Sequence, residues 1–204
     1  MYKPKVIFCA DCETSGLNWG YEEACSNIKV CQDYQSVQWG FVAVDATTLE
    51  TLGEKKINIK WNGVAKWTQG AEKIHGLSKE WLEENGVTEE EAIVEMVEFW
   101  SEYVDLSNPI FFMGHHWRSF DHFFLEDLFI RHEVEGVKFS HKVLDTYSLA
   151  MGTLGLSSSD DIFKAVGLNN RTTHDALEDA QMTVEAFKRI RRIWKKLLQN
   201  YQEK

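Results

Sequence analysis

Residues Lys5–Leu17 read KVIFCADCETSGL, and the way this run ends decides the fold. Lys5–Asp11 is apolar and β-branched until it meets an acid, the pattern of a buried strand whose last residues leave the core. Asp11 and Glu13 are two apart, so both carboxylates project to one side of that strand. Cys9 and Cys12 are three apart and point to opposite faces. Two readings of the thiols stand at this point. They are small apolar fillers beside a strand, or they join Cys25 and Cys31 in a C-x2-C … C-x5-C zinc set. The opposite-face geometry disfavours a shared metal. Disulfides are not expected in a cytosolic chain.

Outward from this strand the chain alternates. Leu17–Gln35 is polar and long for a loop, the length of a functional flap or of a loop carrying a short helix. Ser36–Asp45, SVQWGFVAVD, reads as a second strand. LETLGEKKINIKW reads as a third, alternating best near Lys56–Trp61, and the three form an antiparallel meander. Helices follow: a short AEKIH, then SKEWLEENG with a Ser cap and a Gly stop. TEEEAIVEMVEFWSEYV opens with the capping box Thr88–Glu91 and places Ile93, Val97, Trp100 and Val104 at helical spacing. Pro109–His115 is a fourth strand, SFDHFFLEDLFIRHE a helix, and KFSHKVLDT a short strand ending near Asp145. SSSDDIFKAVGL and DALEDAQMTVEAFKRIRRIWKKLLQNY complete the helices. The expectation is one α/β domain over residues 1–204, with a mixed central sheet of an antiparallel meander plus parallel strands, flanked by helices.

Composition limits the function. The chain has 204 residues, 44% of them hydrophobic, and two prolines, a composition that does not suggest disorder. No apolar run reaches the roughly 20 residues of a membrane span, and the N-terminus lacks a signal-peptide pattern. A soluble, cytoplasmic protein without a membrane partner is expected. The net charge of −10 argues against a broadly basic nucleic-acid surface. It says little about a local site, because bound divalent ions can supply positive charge where composition does not. The dense basic run is Lys188–Lys196, KRIRRIWKK. On a helix it is either a solvated face or a phosphate-tracking patch, with Ile190, Ile193 and Leu197 turned to the core.

Acids recur at element junctions. Asp121 opens or sits early in a helix after the fourth strand. Asp175 has capping-box spacing to Glu178, so it is expected to cap the last helix. Asp179 lies one turn further in, where capping no longer accounts for it. His174 is five residues before Asp179, about 140° away if both were helical. With Asp175 as the cap, His174 falls on a loop and can swing over a site where Asp179 is fixed.

Taken together, Asp11-x-Glu13-Thr14-x-Gly16-Leu17, HWRSFD at His116–Asp121 and HDALEDA at His174–Ala180 resemble the DEDDh family of 3′–5′ exonucleases, which includes the proofreading subunit of bacterial replicative polymerase. IHGLS at Ile74–Ser78 and LDTYSLA at Leu144–Ala150 extend the resemblance over nearly the whole chain. It implies a ribonuclease H-like fold. It also implies that Asp11, Glu13, Asp121 and Asp179 hold two divalent ions, Mg²⁺ or Mn²⁺, with His174 as general base. Thr14, Leu17, His75 and Phe120 would meet the 3′-terminal nucleotide of single-stranded DNA or RNA, and the product would be a nucleoside 5′-monophosphate. The chemistry agrees. Crowded carboxylates repel one another without cations, and hard oxygen donors suit Mg²⁺ or Mn²⁺. An imidazole near neutrality suits proton abstraction from water. Proofreading would need a polymerase partner, while free-standing repair would need none; a repair or RNA-processing partner is the other one the resemblance leaves open. The acids then carry the chemistry, and the Cys12 thiol is expected to point away from the metals.

The pattern departs at Trp117, which stands where the family usually has Asn. An indole has one donor and no acceptor. Trp117 either turns outward to stack on a base or packs as a wedge; Phe120 either meets the substrate in its pocket or is a core aromatic packed under the site. Trp19, in the long segment, is another stacking candidate. A catalytically silent nucleic-acid-binding module on the same fold and a zinc-stabilised module remain the competing functions.

Overall fold

In the computed structural model, residues 4–17, 33–168, 171 and 173–202 are described. Trp19, Cys25, Cys31 and most of the Leu17–Gln35 segment lie outside the described residues, so the expectations placed on them go no further here.

Five strands form one sheet in the order β3-β2-β1-β4-β5: β1 Val6–Thr14, β2 Ser36–Asp45, β3 Thr51–Asn58, β4 Ile110–Gly114 and β5 Phe139–Asp145. β1 pairs antiparallel with β2, and β2 with β3, giving the expected meander. β4 adds parallel to β1, and β5 parallel to β4. The third strand is earlier than its alternation suggested. It starts at Thr51, and beyond Asn58 only Ile59 continues, as a single bridge to Val87.

Seven α-helices lie among the described residues: α1 Gln69–His75, α2 Lys79–Asn85, α3 Glu89–Ser101, α4 Asp121–Arg131, α5 Thr146–Leu154, α6 Ser159–Ala165 and α7 Ala176–Gln202. The caps are those the sequence marks. Ser78 accepts from the Trp81 N–H, and Gly86 follows the end of α2. Thr88 and Glu91 make the reciprocal capping box of α3. α3 stops at Ser101, so Val104 packs on the core from the following turn. The α5 helix was not foreseen; Asp145, the last residue of β5, also serves as its N-cap.

The two faces of the sheet carry different layers. Phe8, Ala10 and Cys12 of β1 point into an aromatic core with Trp39, Phe41, Trp100, Phe112 and Phe129, closed by α3 and α4. Ile7 and Cys9 point the other way, onto Ala180 and Val184 of α7. Trp117 belongs to the first core. It is 1% exposed and stacks on Phe112 with ring centroids 4.4 Å apart. The wedge reading of Trp117 therefore holds, and no base can stack on it.

The last helix departs from expectation. Ile190 is buried, but Ile193 and Leu197 are 47% and 54% exposed. The helix runs on past the body of the domain, so its apolar stripe continues with nothing among the described residues packed on it. No described helix is long and apolar enough to cross a membrane.

Candidate active site

The site forms where β1 outruns its parallel neighbour. β4 pairs with β1 only at Phe8 and Cys9, and ends at Gly114. Further along, the backbone donors of β1 on that side need other partners. The Cys12 N–H finds one in Asp121 Oδ1, at 2.9 Å. Asp121 is the first residue of α4, where a carboxylate also favours the helix dipole. A side chain at Gly114 would come within 2.9 Å of Trp117 Cβ and 3.0 Å of the Ala10 carbonyl. Only glycine lets the chain turn from β4 toward α4 this tightly.

The fourth acid is set from the other face. Asp175 caps α7 through the Leu177 and Glu178 N–H groups, at 3.1 and 3.2 Å. Lys56 of β3 pairs with Asp175 at 2.9 Å, and Gln38 of β2 accepts from the Ala176 N–H at 2.8 Å. Gly40 lets this happen, since a Cβ there would sit 2.2 Å from the Ala176 backbone. The start of α7 is thus pinned to the meander, and Asp179, one turn in, is 3% exposed at the end of β1. His174 stands outside the helix, as expected, with Nδ1 3.4 Å from Asp179 Oδ2.

Asp11, Glu13, Asp121, His174 and Asp179 line one cavity of about 530 Å³, together with Thr14, Leu17, His75 and Phe120. The nine residues to which the resemblance gave a metal, catalytic or substrate role are all on its wall, and Trp117 is not. Glu13, His174 and Asp179 each present a ligand atom within 4.8 Å of the others. Phe120 lines the cavity and also packs on Phe124, with centroids 5.1 Å apart. Leu17 is 54% exposed at the rim. His75 is buried; its Nδ1 accepts from the Leu77 N–H at 3.0 Å, so Nε2 carries the proton. That Nε2 lies beside the Thr14 backbone without an aligned hydrogen bond.

The electrostatics fit a cation. Burial, then Asp121, Asp179 and Glu13, push Asp11 well above the usual carboxylate range. Burial raises Glu13 to about 7 against the pull of His174. Burial also raises Asp121 to about 7, although Cys12 donates to it. The Asp179 carboxylate holds His174 above an ordinary imidazole despite its burial. Buried carboxylates in mutual repulsion, all oxygen donors, are the donor set for a hard divalent ion.

Two findings were not anticipated. The Cys12 side chain lies in the aromatic core, away from Asp11 and Glu13, yet its thiol bears on Asp121. It is not remote from the site, and burial followed by Asp121 and Asp11 raises its pKa, which keeps it a thiol. Arg171 lines the cavity and pairs with Asp179. Nothing in NNRTTH marks that arginine except its place three residues before His174.

A ribonuclease H-like sheet with clustered acids at its central strand is the frame of a nuclease. Residues 8–187 match the RNase_T exonuclease family model, and the chain belongs to that family. No curated protein matches it in sequence. Among solved structures it is similar to the zinc-bound exonuclease I–ssDNA complex of E. coli, with a TM-score of 0.74 and 16% identity over 97% of this chain and 43% of that one. It is also similar to the nuclease domain of 3′hExo, a DEDDh family member bound to rAMP, with a TM-score of 0.70 and 10% identity over 92% of both chains. Exonuclease I from Methylocaldum szegediense matches with a TM-score of 0.68 and 17% identity over 92% of this chain and 40% of that one. The chain spans less than half the length of these exonuclease I proteins.

Proposed function

We propose that this chain is one DEDDh-type exonuclease domain that removes nucleoside 5′-monophosphates from the 3′ end of single-stranded DNA or RNA, with two Mg²⁺ or Mn²⁺ ions and His174 as general base. The observation that carries the proposal is the convergence of Asp11, Glu13, Asp121, Asp179 and His174 on one cavity wall. Asp11, Glu13, Asp121 and Asp179 would hold the ions. When bound, such ions stabilise the charge that develops on attacking and leaving oxygens at phosphorus. The residues do the rest. His174, on its loop beside Asp179, takes the proton from the attacking water; the carboxylate beside it stabilises the imidazolium that results. The exposed Leu17 and the Phe120 ring offer apolar faces to the terminal base and sugar. Thr14 and His75, both on the cavity wall, offer polar contacts to the terminal nucleotide. The solved relatives described above carry ssDNA in one case and a ribonucleotide in another, which supports a single-stranded substrate of either sugar. A polymerase or RNA-processing partner is compatible with this reading and not required by it.

The test is a gel time course on 5′-labelled single-stranded DNA and RNA of one sequence, with Mg²⁺, Mn²⁺ or EDTA. The expected result is a ladder shortening from the 3′ end only with metal. His174→Ala should lower turnover by roughly 10²–10⁴ while leaving metal affinity unchanged. Strand binding without any metal-dependent cleavage would instead establish the silent binding module. Lost metal affinity in the histidine variant would make His174 a ligand.

A further inference from the structure

Among the described residues, Arg171 is the one cation lining the site whose place the proposed chemistry does not use. Its side chain is 8% exposed, a depth at which an arginine needs partners. It has them on two sides. Toward α6, Nε pairs with Asp160 at 3.1 Å, Nη2 donates to Ser159 at 2.8 Å, and the guanidinium lies 5.6 Å from the centre of the Phe163 ring. Toward the cavity, Nη1 pairs with Asp179. Asp179 Oδ1 is buried, and it meets Arg171 as an ion pair without an aligned hydrogen bond. The two sides differ in kind. The α6 side is a tether of three contacts on one short element. The Asp179 side is a single charge contact to a carboxylate that also has a ligand atom in the Glu13–His174–Asp179 group.

We propose that Arg171 is a positioning residue: a resident counter-cation that holds Asp179 in the metal-free protein and competes with the divalent ion for that carboxylate. The inference rests on the metal-binding reading of the acids. Physically, a buried carboxylate cluster without cations is repulsive, and an internal guanidinium lowers that repulsion at one ligand. Arriving metal must then displace the guanidinium from Asp179, while Asp160 and Ser159 keep it at the cavity wall. Metal occupancy and the Arg171–Asp179 contact are coupled, and the coupling is reciprocal.

The experiment uses the whole chain as wild type, Arg171→Gln and Arg171→Lys, with MnCl₂ titrated calorimetrically and thermal melts in EDTA and in saturating Mn²⁺. Arg171→Gln is expected to bind Mn²⁺ at least about fivefold more tightly. It should melt lower than wild type in EDTA, and the gap should narrow in Mn²⁺. Arg171→Lys, which keeps the charge, should restore part of both effects. An equal loss of melting temperature with and without metal, at unchanged Mn²⁺ affinity, would overturn the inference and leave Arg171 a structural tie. Weaker Mn²⁺ binding in Arg171→Gln would also overturn it, because Arg171 would then support the ligand geometry. Wild type that binds no Mn²⁺ would remove the metal reading itself, an outcome seen before any variant is compared.

Discussion

Two clusters of buried acid in this molecule behave differently. In the first, at the end of β1, Asp11, Glu13, Asp121 and Asp179 face one another with Arg171 and His174 as the nearby cations. In the second, between α3 and α4, Glu89 and Asp127 face Arg131 and His132. Arg131 holds both Glu89 oxygens, at 2.7 and 2.9 Å, and Asp127 at 2.7 Å, while His132 adds a contact to Glu89 at 2.9 Å. Burial raises the pKa of every one of these acids for which a shift is resolved, except where partners outweigh it. At Glu89 the Arg131 and His132 bonds win and its pKa falls below the usual range. Asp127 shares a single arm of Arg131, leaves Oδ1 without a partner, and is raised. At Glu13 and Asp121 burial wins outright. Burial alone therefore does not separate structure from function here. The supply of cations does. In the second cluster Arg131 and His132 meet Glu89 inside the fold and Arg131 meets one oxygen of Asp127, whereas the first leaves more acid for an ion to meet.

The largest expected effect tests that asymmetry at its centre. Asp11→Asn should reduce metal-dependent hydrolysis by roughly 10³-fold or more. It should also raise the melting temperature in EDTA, because it removes one of the repelling carboxylates. Activity and metal-free stability moving in opposite directions is the signature of a site held under electrostatic strain. Full activity in that variant would end the two-metal reading, and lower stability in EDTA would end the strain.

The matching change in the second cluster should do the reverse. Arg131→Met leaves Glu89 and Asp127 buried without their main cation. Breaking such a pair should cost about 3 kcal/mol, the low end for buried ion pairs, since Arg131 itself is 35% exposed. Urea melts would measure it. Hydrolysis per folded molecule should stay at the wild-type rate, measured below the midpoint of unfolding. A rate loss larger than the unfolded fraction would mean that the second cluster communicates with the site.

The first cluster was largely legible in the sequence and the second was not, for physical reasons. The strand rule put Asp11 and Glu13 on one side, and the capping spacing of Asp175 put His174 outside the helix; both follow from local periodicity. Periodicity was silent about partners. It gave Ile193 and Leu197 a face on α7 but not what lies opposite, and the helix outruns the sheet. It could not see α5, a helix of weak amphipathicity that buries only Thr146 and Ala150 and borrows its cap from a strand. Nor could it bring Arg171 to Asp179, or the Cys12 thiol to Asp121, because those contacts are made by tertiary packing. The second cluster has the same origin: Glu89 and Arg131 are 42 residues apart and nothing local pairs them.

The smallest effect is a pH dependence, and it sharpens the comparison because Glu89 and Glu13, one acid from each cluster, titrate in different windows. Glu89 has a lowered folded pKa. Its contribution is present above the ordinary glutamate value of 4.5 and is lost only as pH falls below it. Glu13 is the opposite case. Its folded value of about 7 lies above the unfolded 4.5, so the native protein binds the extra proton between them. Its contribution is fully present below pH 4.5 and is lost as pH rises through about 7. His75 and His115 slope the other way in the same window, since burial lowers both and neutral imidazole is favoured in the fold. Comparing wild type with Glu13→Gln in EDTA cancels their contribution. The stability of wild type relative to the variant should fall by roughly 1–3 kcal/mol between pH 5 and pH 8. His174, raised chiefly by Asp179 and in small part by Glu13, adds in the same direction only through the Glu13 share that the variant removes. Saturating Mn²⁺ should invert the trend in wild type, because the ion binds the deprotonated carboxylates and its stabilisation grows with pH. A flat difference in EDTA would mean that Glu13 is ionised at neutral pH with its charge already met inside the protein, and the two clusters would then be alike.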